Sequence, residues 1–155
     1  MYLDFSYLLV VAASFGAVLV LGAIVAPVIF HSDKYLAGML IDHYNMGIIM
    51  GEIFRRFAYW SYFLAAYIAF YEAYMYKRGQ RDALVFGAAV TAIFSSLMFS
   101  VVYVPKILSM QSMGKEATQS DTFANIHIAS EIDFKLLAAA LLVLFIRRLM
   151  LLRID

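Results

Sequence analysis

Cysteine is absent from this chain of 155 residues, and proline occurs only twice. The lack of cysteine excludes a disulfide framework, a thiolate metal site and thiol redox chemistry. Charged side chains are scarce as well: they make up 15% of the residues, against about 25% in soluble domains. With a formal net charge of only +1, the sequence has neither the polar bias of a disordered chain nor the basic field of a nucleic-acid-binding protein, and both classes are excluded.

Apolar residues take the place of the missing charges. They make up 65% of the sequence, the mean hydropathy is +0.82, and residues 5–30 and 83–105 contain no charged side chain. A helix of about 20 apolar residues is long enough to cross a bilayer. The sequence therefore predicts an integral membrane protein, with the lipid bilayer as its main partner.

Four membrane spans are predicted when the apolar runs are extended to bilayer length. They cover residues 5–30, 53–76, 83–105 and 124–146, and together they form one domain over residues 1–155. The first span is expected to be retained and not cleaved as a signal peptide. No basic residue precedes it, and it is longer than the roughly 7–15 apolar residues of a signal peptide.

Basic residues in short loops indicate which side of the membrane is cytoplasmic, because such loops are retained there. The turn after the second span and the C-terminal tail carry six of them: Lys77, Arg78, Arg81, Arg147, Arg148 and Arg153. In a chain with four spans, both segments lie on the same side as the N-terminus. We therefore expect an all-α integral membrane four-helix bundle with both termini in the cytoplasm.

The chain also carries an internal repeat, in which residue n corresponds to residue n + 79. The aligned residues are chemically similar: Asp42 with Asp121, Glu52 with Glu131, Arg56 with Lys135 and, with one residue of slip, Pro27 with Pro105. Each half reads as a spanning helix that ends in proline and a second spanning helix that opens with an acid and, four residues later, a base. This order predicts two parallel two-helix repeats, with ion pairs between the acid and the base.

Histidine and methionine collect in the segment before the second span. On a helix of about 100° per residue, one face of this segment carries Met39, His43, Met46 and Met50. Imidazole and thioether groups bind Cu(I), and the same two groups ligate haem iron. The alternative is packing, because methionine fills irregular gaps and the Gly47-x-x-x-Gly51 spacing lets helices approach closely.

A second group of candidate residues opens the fourth span. Glu131 follows His127 by four residues, so its carboxylate can accept one imidazole N–H and leave the other nitrogen free to bind a metal. The alternative is that Glu131 only pairs with Lys135 and that His127 is an ordinary interfacial residue.

Other ionisable residues lie near the ends of the second span. Arg55 and Arg56 offer bidentate donors for lipid phosphate or for the propionates of a haem. Glu72, at the other end, is within reach of Lys77 or Arg78 and is expected to have a structural role.

Three short motifs lie at the helix ends: Ala26-Pro27-Val28-Ile29-Phe30-His31, Val104-Pro105-Lys106-Ile107 and Asn125-Ile126-His127. They resemble motifs of the CopD-like superfamily of four-helix membrane proteins, and the resemblance implies a location in the bacterial inner membrane. The sequence is most similar to the uncharacterised bacterial branch of this group, which is related to a human transmembrane protein linked to cisplatin resistance. The resemblance implies haem b or a copper-type metal as cofactor, and His31 and His127 resemble two histidines of HemJ-type protoporphyrinogen oxidases. Residues 7–22 contain no histidine, which departs from that type and argues against its activity.

These patterns predict a binding protein with haem b or a copper-type ion at its outward, periplasmic end, and they assign no catalytic residue. The expected cofactor-binding residues are His31, His43, Arg55, Arg56, His127 and Glu131. For a metal ion they are His43, Met46, Met50 and His127, and in a haem site His43 and His127 are the axial ligands. The alternatives are a structural or assembly subunit of a larger membrane complex, and a small transporter that forms a homo-oligomer.

Overall fold

The computed structural model describes residues 2–36 and 41–152, and within these ranges the chain is helical and has no strand. The helices are α1 (Tyr2–Phe30), α2 (His43–Lys77), α3 (Ala83–Ser112), the short α4 (Lys115–Thr118) and α5 (Asp121–Leu152). A 3-10 turn at Ser32–Lys34 follows α1. Among the described residues, α1 and α3 are the two helices that are long and apolar enough to cross a membrane.

The long helices run antiparallel in the order of the chain. Tyr7, near the start of α1, donates a hydrogen bond of 2.7 Å to Glu72, near the end of α2. In the same way, Arg147 near the end of α5 binds Asp82, the residue before α3, at 2.7 Å. The two termini and the α2–α3 turn therefore lie at one end of the molecule, called here the terminal end. The two longer connections lie at the other end, called here the loop end.

Both prolines lie inside helices. Pro27 follows a π-helical turn at Leu21–Val25, and Pro105 follows one at Met98–Tyr103. A proline lacks the N–H of a regular turn and its ring collides with the preceding turn, and a widened turn accommodates both effects. The helix of the third predicted span does not end at Pro105 but continues to Ser112, whereas α1 ends at Phe30, the predicted end of the first span.

The second helix begins well before its predicted span. Asp42 precedes it in an extended conformation, and its side chain accepts a 2.9 Å hydrogen bond from the Asn45 backbone N–H. Such an N-cap satisfies one of the free donors of the first turn. As a result, α2 starts at His43 and carries His43, Met46 and Met50 on one continuous helix.

Small polar side chains lie among the apolar residues of the interior. The buried serines are Ser14, Ser61, Ser95, Ser96, Ser100 and Ser130. Large apolar side chains cover the exterior, among them Phe5, Leu9, Ile24, Phe70, Phe86, Phe94 and Leu136. Water disfavours such an exterior, because it drives apolar surface into the core. Such an exterior is suited to contact with lipid.

Phenylalanines from three helices meet at mid-height of the molecule. Phe54 and Phe57 of α2 pack against Phe99 of α3 and Phe134 of α5, with ring centroids 5.1–5.9 Å apart. Most of these pairs are edge-to-face, an arrangement worth about 0.5–1.5 kcal/mol per pair beyond the burial of the rings. The cluster holds α2, α3 and α5 together, and three of its rings, Phe54, Phe99 and Phe134, also line the cavity described below.

A buried ion pair holds the terminal end together. Arg148 of α5 binds Glu72 of α2 through two nitrogens and donates a third hydrogen bond, of 2.7 Å, to Gln80 in the α2–α3 turn. Only 4% of the Arg148 side chain is exposed. The partner of Glu72 therefore comes from the other end of the sequence, although Lys77 and Arg78 lie much nearer along the chain.

Candidate ligand-binding cavity

A cavity of about 720 Å³ lies between the four long helices toward the loop end. Its apolar walls include Gly22, Ala26, Phe54, Phe99, Phe134 and Ala138. Its polar lining includes His31, His43, Lys115, His127, Glu131 and Lys135. Cavities of roughly 300–1,000 Å³ with apolar walls and a few polar groups are typical ligand-binding sites.

All three histidines of the chain line this cavity. His31 follows the last turn of α1, His43 is the first residue of α2, and His127 lies in the second turn of α5. The antiparallel order of the helices brings these three positions to the same end of the molecule. The three histidines, which are far apart in the sequence, thus line one cavity.

The ring of His31 is held by the backbone. Its Nδ1 atom lies 2.9 Å from the carbonyl oxygen of Pro27, one turn earlier in the chain. When Nδ1 carries the proton, it donates to this carbonyl, and Nε2 keeps a free lone pair. A backbone carbonyl that fixes the tautomer in this way is a common support for metal-ligating histidines.

The ring of His127 is held by side chains. Its Nε2 atom lies 3.3 Å from Glu131 Oε1, and the Phe123 ring stacks on it with centroids 6.1 Å apart. The other carboxylate oxygen of Glu131 is 3.7 Å from Lys135 Nζ. Both partners that the sequence suggested for Glu131 are therefore in contact with it, and the nitrogen of His127 left free is Nδ1.

The histidine and methionine face of α2 divides between the cavity and the helix interface. His43 and Met50 line the cavity, and the His43 ring packs against Phe30 with centroids 5.3 Å apart. Met46 is buried but does not belong to the cavity lining. Met39 lies outside the described residues. The thioether groups are thus not all directed at one point.

Within residues 2–36 and 41–152, no three histidine, aspartate or glutamate side chains are grouped closely enough to hold a metal ion. The histidines therefore share a cavity without forming a compact three-ligand site of this kind. A ligand that uses all three of them has to extend across the cavity.

Arg55 and Arg56 do not line the cavity. Both bind Glu52, at 2.7 Å and 2.8 Å, and all three side chains are largely exposed. The hydrogen bonds from Arg55 and then Arg56 lower the pKa of Glu52 to about 2. The two arginines thus form a surface ion pair at the level where the second span was predicted to begin.

Lysines provide the positive charge that the cavity does have. Lys115 lies 3.2 Å from Asp42 at the start of α2, and Lys135 pairs with Glu131. Both lysines line the cavity. The sequence did not identify either lysine as a cavity-lining residue. For Lys135 the internal repeat offered a signal, because it aligns this residue with Arg56, which was a candidate for cofactor binding.

A contact between α2 and α3 forms one wall of the cavity. Gln111 Nε2 donates a 2.9 Å hydrogen bond to the carbonyl of Gly47, and Tyr44 donates one of 2.8 Å to the carbonyl of Gln111. The absence of a side chain at Gly51 permits this approach, because a Cβ there would lie 2.5 Å from Gln111 Oε1. The sequence did not predict the contact between Gln111 and Gly47, because no pattern in it marks partners that lie so far apart along the chain.

Comparison with known proteins gives one match. No curated protein and no solved structure is detectably similar to the chain. A family model, described as a domain of unknown function (DUF4149), matches residues 9–116, which include His31, His43 and the cavity walls from α1, α2 and α3. The match ends before α5, so His127 and Glu131 lie outside it. Because it covers well over half of the sequence, the chain belongs to the DUF4149 family.

Proposed function

We propose that this chain is a multi-pass inner-membrane protein that binds haem b in the cavity between its helices. The observation that carries the proposal is a large apolar cavity with all three histidines of the chain in its lining. The cavity lies at the end opposite the termini, which on our proposed orientation is the periplasmic side.

The membrane assignment is extended from two helices to four. Helices α2 and α5 are long enough to span, but they carry charged side chains that α1 and α3 lack. Most of these charges have a partner, such as Arg56 with Glu52, Lys135 with Glu131 and Arg148 with Glu72. Paired charges near helix ends are tolerated at a membrane boundary, so we place α2 and α5 in the bilayer with both termini in the cytoplasm.

The residues present fit a haem better than a bare metal ion. A protein-bound copper or zinc ion usually takes three or four ligands from side chains, whereas the porphyrin ring provides four nitrogens and leaves one or two positions for the protein. The large apolar cavity suits the ring. Lys115 and Lys135 offer positive charge for the propionates, in place of Arg55 and Arg56.

His43 of α2 and His127 of α5 would hold the haem iron, and His31, whose ring is already held by the Pro27 carbonyl, is the alternative. A bound haem supplies electron-transfer chemistry. The chain itself orients the imidazoles, through the Pro27 carbonyl at His31 and the Glu131 carboxylate at His127. The affiliation with the CopD-like superfamily is part of the same proposal.

Optical spectroscopy of the purified protein tests the haem proposal. The protein is extracted in a mild detergent, titrated with haem b, and analysed for bound iron and copper. We expect a Soret band with a stoichiometry of one haem per chain. His43→Ala and His127→Ala should each weaken binding or shift the band, because each removes one iron ligand.

Met46→Leu is the matched control, since Met46 is buried on the same helix but does not line the cavity. This variant should bind haem as the wild type does. A folded protein that gives no Soret band after titration would overturn the proposal. A purely structural subunit would give that result, and its histidine variants would behave as the wild type does.

A further inference from the structure

Asp133 is a buried acid in the middle of α5. Only 7% of its surface is exposed, and its Oδ2 atom is fully buried with no hydrogen-bond partner. Ser95 of α3 is close enough to its carboxyl group to hydrogen-bond it. The next residue along α3, Ser96, is also buried, and its hydroxyl has no partner. A polar position thus lies between α3 and α5 in an otherwise apolar region.

No basic group faces Asp133 from the helices around it. Residues 5–30 of α1 and 83–105 of α3 contain no charged side chain and no histidine. The charged groups of α2 nearest in height are exposed and bind one another: Glu52, Arg55 and Arg56. On α5 itself, Glu131 and Lys135 are exposed and also paired. Among the described residues, Asp133 is therefore a buried acid without a counter-ion.

An isolated carboxylate in a low-dielectric interior costs several kcal/mol, and binding of a proton removes that cost. A metal cation would need several oxygen ligands, whereas a proton needs only the carboxyl group itself. Acidic residues buried inside membrane helices commonly mark proton or ion pathways.

We propose that Asp133, supported by Ser95, is a proton-binding site inside the helix bundle. The next residue, Phe134, lines the cavity, so the site lies close to the cavity. The proposal rests on the membrane placement of α5 but not on haem, and it can be tested on protein without haem. The site provides the protonatable group that a proton-coupled process across the bundle requires.

Labelling with dicyclohexylcarbodiimide tests the proposal on the full chain in lipid nanodiscs. This apolar reagent adds to a protonated carboxyl group and forms a stable N-acylurea with no leaving group, so the chain gains the mass of one reagent molecule. At neutral pH we expect the label at Asp133, located by peptide mass spectrometry. Asp133→Asn should abolish it, while Glu52→Gln, which removes an exposed and paired acid, should leave it unchanged.

Infrared spectroscopy gives a second readout that does not depend on access of the reagent. The wild type should show a carboxylic-acid C=O band at neutral pH that is missing from Asp133→Asn. If the wild type shows no carboxylic-acid band that Asp133→Asn lacks and is not labelled at Asp133, then Asp133 is ionised and the proposal is wrong. Labelling that millimolar Na⁺ suppresses would assign the site to a metal cation and would also overturn it.

Discussion

At the scale of single residues, the molecule places its charges in two different ways. Around the loop end they lie on the surface as local pairs, such as Glu52 with Arg56, which are four residues apart. At the terminal end Arg148 is buried and joins residues far apart in the sequence. A buried guanidinium is tolerated there because its nitrogens meet the carboxylate of Glu72 and the amide oxygen of Gln80.

This contrast predicts a large effect of Arg148→Met on stability. The substitution leaves the Glu72 carboxylate buried without its cation, and breaking one partner of a buried pair costs about 3–5 kcal/mol. The unfolding free energy, measured by denaturation in detergent with circular dichroism, should fall by about that amount.

The neighbouring Arg147→Met is the matched control for this prediction. Arg147 binds Asp82, but 36% of its side chain is exposed, and water screens such a pair. Its loss should therefore destabilise the protein less than that of Arg148. Equal effects of the two variants would show that the buried network does not hold the terminal end together.

At the scale of helices, the contact between α2 and α3 at Gly51 predicts the effect of Gly51→Ala. The new Cβ would lie 2.5 Å from Gln111 Oε1 and 3.1 Å from Leu108 Cδ2. To avoid it, Gln111 has to give up its hydrogen bond to the Gly47 carbonyl. We expect a lower midpoint of thermal unfolding and weaker haem binding, because this contact forms a wall of the cavity.

Two further variants separate this clash from the ordinary effect of alanine in a helix. At Gly47 a new Cβ meets its nearest neighbour at 3.5 Å, so Gly47→Ala should be neutral or stabilise α2 by up to about 1 kcal/mol through helix propensity. Adding Gln111→Ala to Gly51→Ala should restore part of the lost stability. If Gly51→Ala alone is as stable as Gly47→Ala, the two helices are not in close contact.

The pattern of the sequence predicts features that depend on one helix at a time. The apolar runs indicate α1 and α3, and the spacing of Glu131 and Lys135 predicts an ion pair within one helix. Partners on different helices follow no such spacing, so Arg148 could not be assigned to Glu72 from the sequence. The histidines are an intermediate case, because the order of antiparallel helices predicts their common end but not a shared cavity.

At the scale of the whole molecule, the two ends are built for different roles. The terminal end is closed by the network around Arg148 and by stacked tyrosines, Tyr7 and Tyr71, with ring centroids 3.7 Å apart. The loop end contains the cavity, and π-helical turns widen α1 and α3 near it. A ligand would therefore enter from the loop end or from the bilayer between helices, and not through the terminal end.

The number of membrane crossings can be tested by labelling single cysteines with a maleimide reagent. The chain is suitable for this test because it contains no cysteine, so the wild type gives no background labelling. Tyr2→Cys, Arg81→Cys and Glu116→Cys place one thiol each at the N-terminus, in the α2–α3 turn and in α4, at positions that are exposed. With four spans, positions 2 and 81 lie on one side of the membrane and position 116 on the other.

A chain in which only α1 and α3 cross the membrane gives a different pairing. After one crossing by α1 and none by α2, position 81 would lie opposite the N-terminus, and the crossing by α3 would return position 116 to the side of position 2. An impermeant maleimide applied to intact spheroplasts and then to lysed ones separates the two cases. We expect position 116 to react in intact spheroplasts and positions 2 and 81 only after lysis, because the loop end with its cavity then faces the periplasm.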